Sequence, residues 1–104
     1  MKRKTLDAIR AHYAHAKAKH PHFCDRLDVR YRTLRDAEED LGEFRTLLCT
    51  YVEICDVPAT VLLQCEVAEL VVELAKGNNV RAREEALDCI AVLLRIVDEL
   101  EAGE

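Results

Sequence analysis

Apolar residues recur at threes and fours along most of the chain, the period of helices that bury one face. The first stripe, Leu6, Ile9, Tyr13 and Ala16, is weak and predicts a helix from about Thr5 to Lys19. That helix ends before His20-Pro21, because a residue preceding proline avoids helical geometry, and His20 to Cys24 form a turn. A longer stripe of Leu27, Tyr31, Leu34, Leu41, Phe44, Leu48, Tyr51 and Cys55 predicts a second helix from about Asp28 to Cys55. Gly42 is a point where it would break or bend. Asp56-Val57-Pro58 starts a third helix, with Pro58 in the first turn, where its missing N–H costs little. Gly77 stops that helix near Lys76, and Asn78 or Asn79 caps a fourth from about Val80 to Leu100.

The last two helices are apolar over most of their circumference. Val61, Leu63, Val67, Leu70, Val71, Val72 and Leu74 dominate the third, and Ala86, Leu87, Ile90, Leu93, Leu94, Ile96 and Val97 the fourth. Such helices are covered on several sides, and a chain of 104 residues covers both poorly alone. A homodimer or homotetramer with a shared helical bundle is the expectation.

Composition narrows the class. Half the residues are hydrophobic, 34% are charged, and only three are Gly and two Pro, which favours a compact helical protein, so the four helices of the apolar pattern are expected to make a single all-α domain. It divides into an N-terminal helix and turn (1–24), a long helix (25–57) and a helical hairpin (58–104). A net charge of −5 argues against broad nucleic-acid binding, despite the basic start Lys2-Arg3-Lys4. No apolar run approaches the roughly 20 residues that span a bilayer, and the N-terminus lacks the apolar block of a signal peptide. A cytoplasmic protein without nucleic-acid or membrane partners follows as the expectation. The odd number of cysteines (24, 49, 55, 65 and 89) lacks paired spacing and reads as free thiols, mostly at apolar helical positions.

Two acidic pairs carry the candidate chemistry: Glu66-x-x-Glu69 on the third helix and Glu85-x-x-Asp88 on the fourth. Residues three apart on a helix share a face, so each pair presents two carboxylates together. Glu66, Glu69 and Glu73 fall within an arc of about 60°. If the two helices face each other across the Gly77-Asn78-Asn79 turn, four carboxylates make a hard oxygen pocket suited to Mg²⁺. The bland reading is two solvated stripes, with Arg81–Glu85 and Arg95–Glu99 as i,i+4 pairs worth a few tenths of a kcal/mol each. Convergence decides between the two, because like charges 4 Å apart repel by about 4 kcal/mol at an effective dielectric near 20.

Glu66-Val67-Ala68-Glu69-Leu70 followed by Glu84-Glu85-Ala86-Leu87-Asp88-Cys89-Ile90 resembles the paired motif of MazG-like nucleotide pyrophosphohydrolases. That all-α family carries E-E-x-x-E on one helix and E-x-x-D on the next. The resemblance covers about residues 60–100, including Leu93-Leu94-Arg95-Ile96-Val97-Asp98 after the second motif. Cys65 stands at the family's first Glu position, off the Glu66/Glu69 direction. The resemblance implies a four-helix MazG-like bundle, completed by oligomerisation, that hydrolyses a nucleoside triphosphate to the monophosphate and pyrophosphate. It implies Mg²⁺, with Mn²⁺ as the alternative, held by Glu66, Glu69, Glu85 and Asp88. Glu66 or Glu69 is then the general base, and Arg95, Arg81 and Lys76 are candidate phosphate contacts. The alternative is a non-catalytic assembly protein, or a nucleotide- or metal-binding regulator, on the same scaffold.

Other clusters read more simply. His12, His15, His20, His22 and Cys24 lack the paired spacing of a zinc site and suit an exposed helix end or the rim of an anion pocket. No motif orients a Cys–His pair for nucleophilic work. Asp36-Ala37-Glu38-Glu39-Asp40, near Arg32 and Arg35, is the solvated face of the second helix. Tyr13, Tyr31, Phe44 and Tyr51 lie on apolar stripes as core or interface residues.

Overall fold

A computed structural model describes residues 1–27 and 33–103. Among them are four helices, α1 (Arg3–Lys19), α2 (Leu34–Glu53), α3 (Ala59–Lys76) and α4 (Asn79–Ala102), and no strand. The expected start of the second helix at Asp28, and Tyr31 and Arg32 with it, lie outside the described residues.

Local chemistry sets each boundary. Thr33, in extended geometry, accepts a hydrogen bond from the Asp36 amide at 3.1 Å and caps α2. The helix then runs through Gly42 to Glu53. Cys55, expected on the packing seam, lies beyond the helix in left-handed geometry (φ 55°) and is exposed. Pro58 also differs from expectation. It is the N-cap of α3, with φ −64° and ψ 138°, one residue before the first turn, and its carbonyl accepts from Val61 and Leu62. At the far end Gly77 turns left-handed (φ 72°), and the Gly77 and Asn78 amides donate to the carbonyls of Leu74 and Glu73, both at 3.1 Å. This pair of bonds closes a Schellman motif. The Asn78 side chain then accepts from the Arg81 amide at 3.2 Å and starts α4.

Helix α3 is the centre of the molecule and packs against both α2 and α4. Between α2 and α3 the core is Ala37, Leu41, Ala68 and Val72, flanked by Phe44 and Val71. Ala82 and Cys89 of α4, with Val61 and Cys65 of α3, are the other buried apolar positions. Small residues at these positions bring the helix axes close. Full burial of a side chain such as Leu41 contributes about 2 kcal/mol. Helix α1 stands apart from the other three along its length. Its one buried residue is Thr5, whose hydroxyl is bonded to both carboxylate oxygens of Glu101 at the end of α4 (2.5 and 2.6 Å). No described helix is long and apolar enough to cross a membrane.

Candidate metal centre

The α3–α4 hairpin turns its two acidic pairs toward each other. One carboxylate oxygen each from Glu66, Glu85 and Asp88 lie within 4.8 Å of one another. Glu69 lies outside this trio, near enough for its charge to act on Glu66 and Glu85. Three of the four carboxylates expected from the sequence form a compact trio, and Glu69 is not one of them. Among the described residues neither Arg81–Glu85 nor Arg95–Glu99 closes to an ion pair, and Glu85 is half-buried in the cluster.

The trio has unmet electrostatic demand. At 4.8 Å and an effective dielectric of 20, each pair of ionised carboxylates repels by roughly 3.5 kcal/mol. Oε2 of Glu66 and Oε2 of Glu85 are both buried without a hydrogen-bond donor. Burial, then the charges of Glu69 and Asp88, push the Glu66 carboxyl above its usual range. Burial and contact with Glu69, with Asp88 and Glu66 adding charge, push Glu85 up to about 7. Oxygen-only donors, orphaned buried oxygens and concentrated negative charge fit a divalent cation of the Mg²⁺ or Mn²⁺ class. Asp88 is exposed, so one side of the trio remains open to solvent.

A polar cleft of about 470 Å³ adjoins the trio, bounded by all three packed helices. Glu69 and Glu85 line it together with Lys76 and Arg81, two of the expected phosphate contacts. Lys76 is also 3.8 Å from Glu73, the surface pair that its position suggests. Arg95 lies elsewhere, in a groove with Val57, Ala59 and Leu62. Sequence reasoning missed Arg45, which crosses from α2 and places Nη2 3.4 Å from Oε1 of Glu69. Its available signal was position, one turn after the buried Leu41 on the helix that packs on α3.

Cys65 and Cys89, on the same two helices, are buried within electrostatic reach of the carboxylates. Burial, then the Glu69 charge, raise the Cys65 thiol pKa against the pull of Arg45; burial, then Glu66 and Glu85, raise that of Cys89. Both thiols stay protonated at neutral pH and act as small hydrophobes rather than nucleophiles. The histidines are exposed, and His22 pairs with Asp25 at 2.9 Å. Among the described residues the histidines form no group of metal-ligand geometry. On the acidic face of α2, Arg35 pairs with Glu39 at 3.2 Å, while Asp40 is half-buried.

The chain matches no protein-family model, no curated protein and no solved structure.

Proposed function

We propose that this chain is a Mg²⁺-dependent nucleoside triphosphate pyrophosphohydrolase on a MazG-like scaffold, working in the cytoplasm as a homodimer or homotetramer. The convergence of Glu66 with Glu85 and Asp88 carries this reading. In it, water attacks the α-phosphorus, the bond from that phosphorus to the bridging oxygen breaks, and pyrophosphate leaves. Glu66, Glu85 and Asp88 hold Mg²⁺ (or Mn²⁺), which when bound neutralises phosphate charge and makes water more acidic. Glu69, outside the trio and oriented by Arg45, accepts the proton of the attacking water. Lys76 and Arg81, on the wall of the same cleft, meet the phosphate oxygens. Arg95, in its separate groove, has no part in this assignment.

The test is pyrophosphate release from a panel of nucleoside triphosphates with Mg²⁺ and with EDTA, beside Glu69→Gln. Metal-dependent release that disappears in the variant supports the enzyme; silence across the panel in a folded protein rejects it.

One observation favours the second reading, a non-catalytic assembly or a nucleotide- or metal-binding regulator. The side chain at the family's first Glu position, Cys65, is only 2% exposed and supplies no oxygen to the site. Mg²⁺ binding without turnover would select the regulator.

A further inference from the structure

Charge is divided unevenly along this chain. Residues 1–22 hold six Lys and Arg against one Asp, a net +5, so the remainder carries −10 of the total −5. The basic part is helix α1, and among the described residues it packs along no other helix, the Thr5–Glu101 contact at its root apart. Leu6, Ile9 and Tyr13 form its apolar stripe and are 40%, 36% and 68% exposed. By helical position Arg3, Arg10 and Lys17 border that stripe within about 60°.

The complementary surface lies between α2 and α3. An open groove of about 350 Å³ is lined by Ala37, Phe44, Leu63, Val67, Ala68 and Val71, with Asp40 at its edge. Asp36 and Glu43 fall within about 60° of Asp40 on α2, so the apolar floor has an acidic border. One element is apolar with a basic border and the other apolar with an acidic border.

Area points the same way. The chain exposes 8156 Å², whereas a compact monomer of its mass exposes about 5,900 Å². Its radius of gyration is 15.7 Å, against about 13 Å for a compact chain of this length. An excess of about 2,200 Å² per chain is on the scale that obligate homodimers bury.

We propose that α1 of one copy docks in the α2/α3 groove of a second copy, and that the second returns its own α1, giving a closed two-fold dimer. The exchange rests on the homo-oligomeric part of the proposed function and not on catalysis. The Thr5–Glu101 bond holds the root of each arm to its own body, and the length beyond it crosses to the partner. Two identical arm–groove contacts close the assembly and leave no free arm for a third copy.

Sedimentation of the full chain at low and high salt tests the exchange, with circular dichroism to verify helicity. The wild type is expected to be a dimer that weakens as salt rises. Arg10→Glu with Lys17→Glu should raise the dimer Kd on the order of tenfold or more, as should Asp36→Arg with Glu43→Arg. Combining both sets should restore it to within a few-fold of wild type. Val67→Asp in the groove should dissociate the dimer, and Ile90→Asp on the outer face of α4 should not. A monomeric wild type, failure of the combined set to restore the dimer, or dissociation by Ile90→Asp with Val67→Asp silent would overturn the exchange. A basic arm that binds anionic vesicles while the protein stays monomeric would overturn it as well. Pyrophosphate release from the same samples keeps the readings apart, since an inactive but salt-sensitive, rescuable dimer defeats catalysis alone.

Discussion

Arg45 of α2 meets Glu69 of α3 at 3.4 Å, the one ion pair among the described residues that ties a helix outside the hairpin to the carboxylate cluster. Because 59% of the arginine side chain is exposed, the pair contributes at most about 1 kcal/mol to the fold. Its larger effect is to orient Glu69. Arg45→Ala is therefore expected to shift urea unfolding by less than about 1 kcal/mol while lowering kcat/KM for pyrophosphate release by at least about tenfold. Arg45→Lys should fall between. An unchanged kcat/KM would remove Arg45 from the site.

Glu85 links the fold to pH. Its folded pKa of about 7 lies above the ordinary 4.5, so between these values the folded state holds a proton that the unfolded state has released. Stability is fully present below pH 4.5 and is lost as pH rises through about 7. After solvent screening at the open side, the metal-free protein should be on the order of 1–2 kcal/mol less stable at pH 8 than at pH 5. Mg²⁺ should raise Tm more at pH 8 than at pH 5, because protons and metal compete for the same oxygens. Thermal melts at both pH values with and without Mg²⁺ measure this, and a Mg²⁺ effect independent of pH would contradict it.

Glu85→Gln removes one charge from the trio and supplies an amide donor. The metal-free variant should be more stable than wild type at pH 8 by about 1–2 kcal/mol, and its Tm should no longer respond to Mg²⁺. Calorimetry decides this, and loss of stability would mean that the carboxylates do not repel.

Replacing Cys65 by the glutamate of the resembled motif should harm the protein. The site is 2% exposed, and the new carboxylate would lie beside Glu66 and Glu69. Cys65→Glu is expected to cost at least about 3 kcal/mol, whereas Cys65→Ala should cost about 1–2 kcal/mol. Chemical denaturation separates the two.

Gly77→Ala isolates the backbone contribution of the hairpin turn. A Cβ there meets nothing within 4 Å, so the cost is the left-handed φ of 72° alone, about 1 kcal/mol. An equal or larger Tm for the variant would argue against the Schellman closure.

Local signals made much of this molecule legible in its sequence. Gly77 and Asn78 are punctuation whose geometry depends only on neighbouring backbone, so the α3–α4 junction appears where the residues place it. The three-residue spacing within each acidic pair sets a shared face, and one tight turn was enough to bring the pairs together. Pro58 moved by one position because N-cap and first-turn prolines have similar φ and differ mainly in ψ. Cys55 was misplaced because an apolar period does not register where hydrogen bonding ends; α2 stops at Glu53 and the chain turns left-handed. Arg45 and the separate groove of Arg95 depend on how consecutive helices are rotated against one another when they pack, and no local pattern encodes that.

The Gly77-Asn78 junction also bears on the order of assembly. Glu66, Glu69, Glu85 and Asp88 all belong to one helix–turn–helix segment, so bringing them together requires closure of a single short loop. Contacts of such low sequence separation form early in folding, and the α2–α3 contact, with Arg45 and Glu69 24 residues apart, is of the same local kind. The repulsive cluster would then arise in a half-formed hairpin still open to water, where its charges are well screened. The cluster loses water on its inner side once α2 is packed on α3, while Asp88 keeps its outer side wet. A divalent cation present during refolding should therefore act on the consolidation of the packed helices more than on the formation of the hairpin.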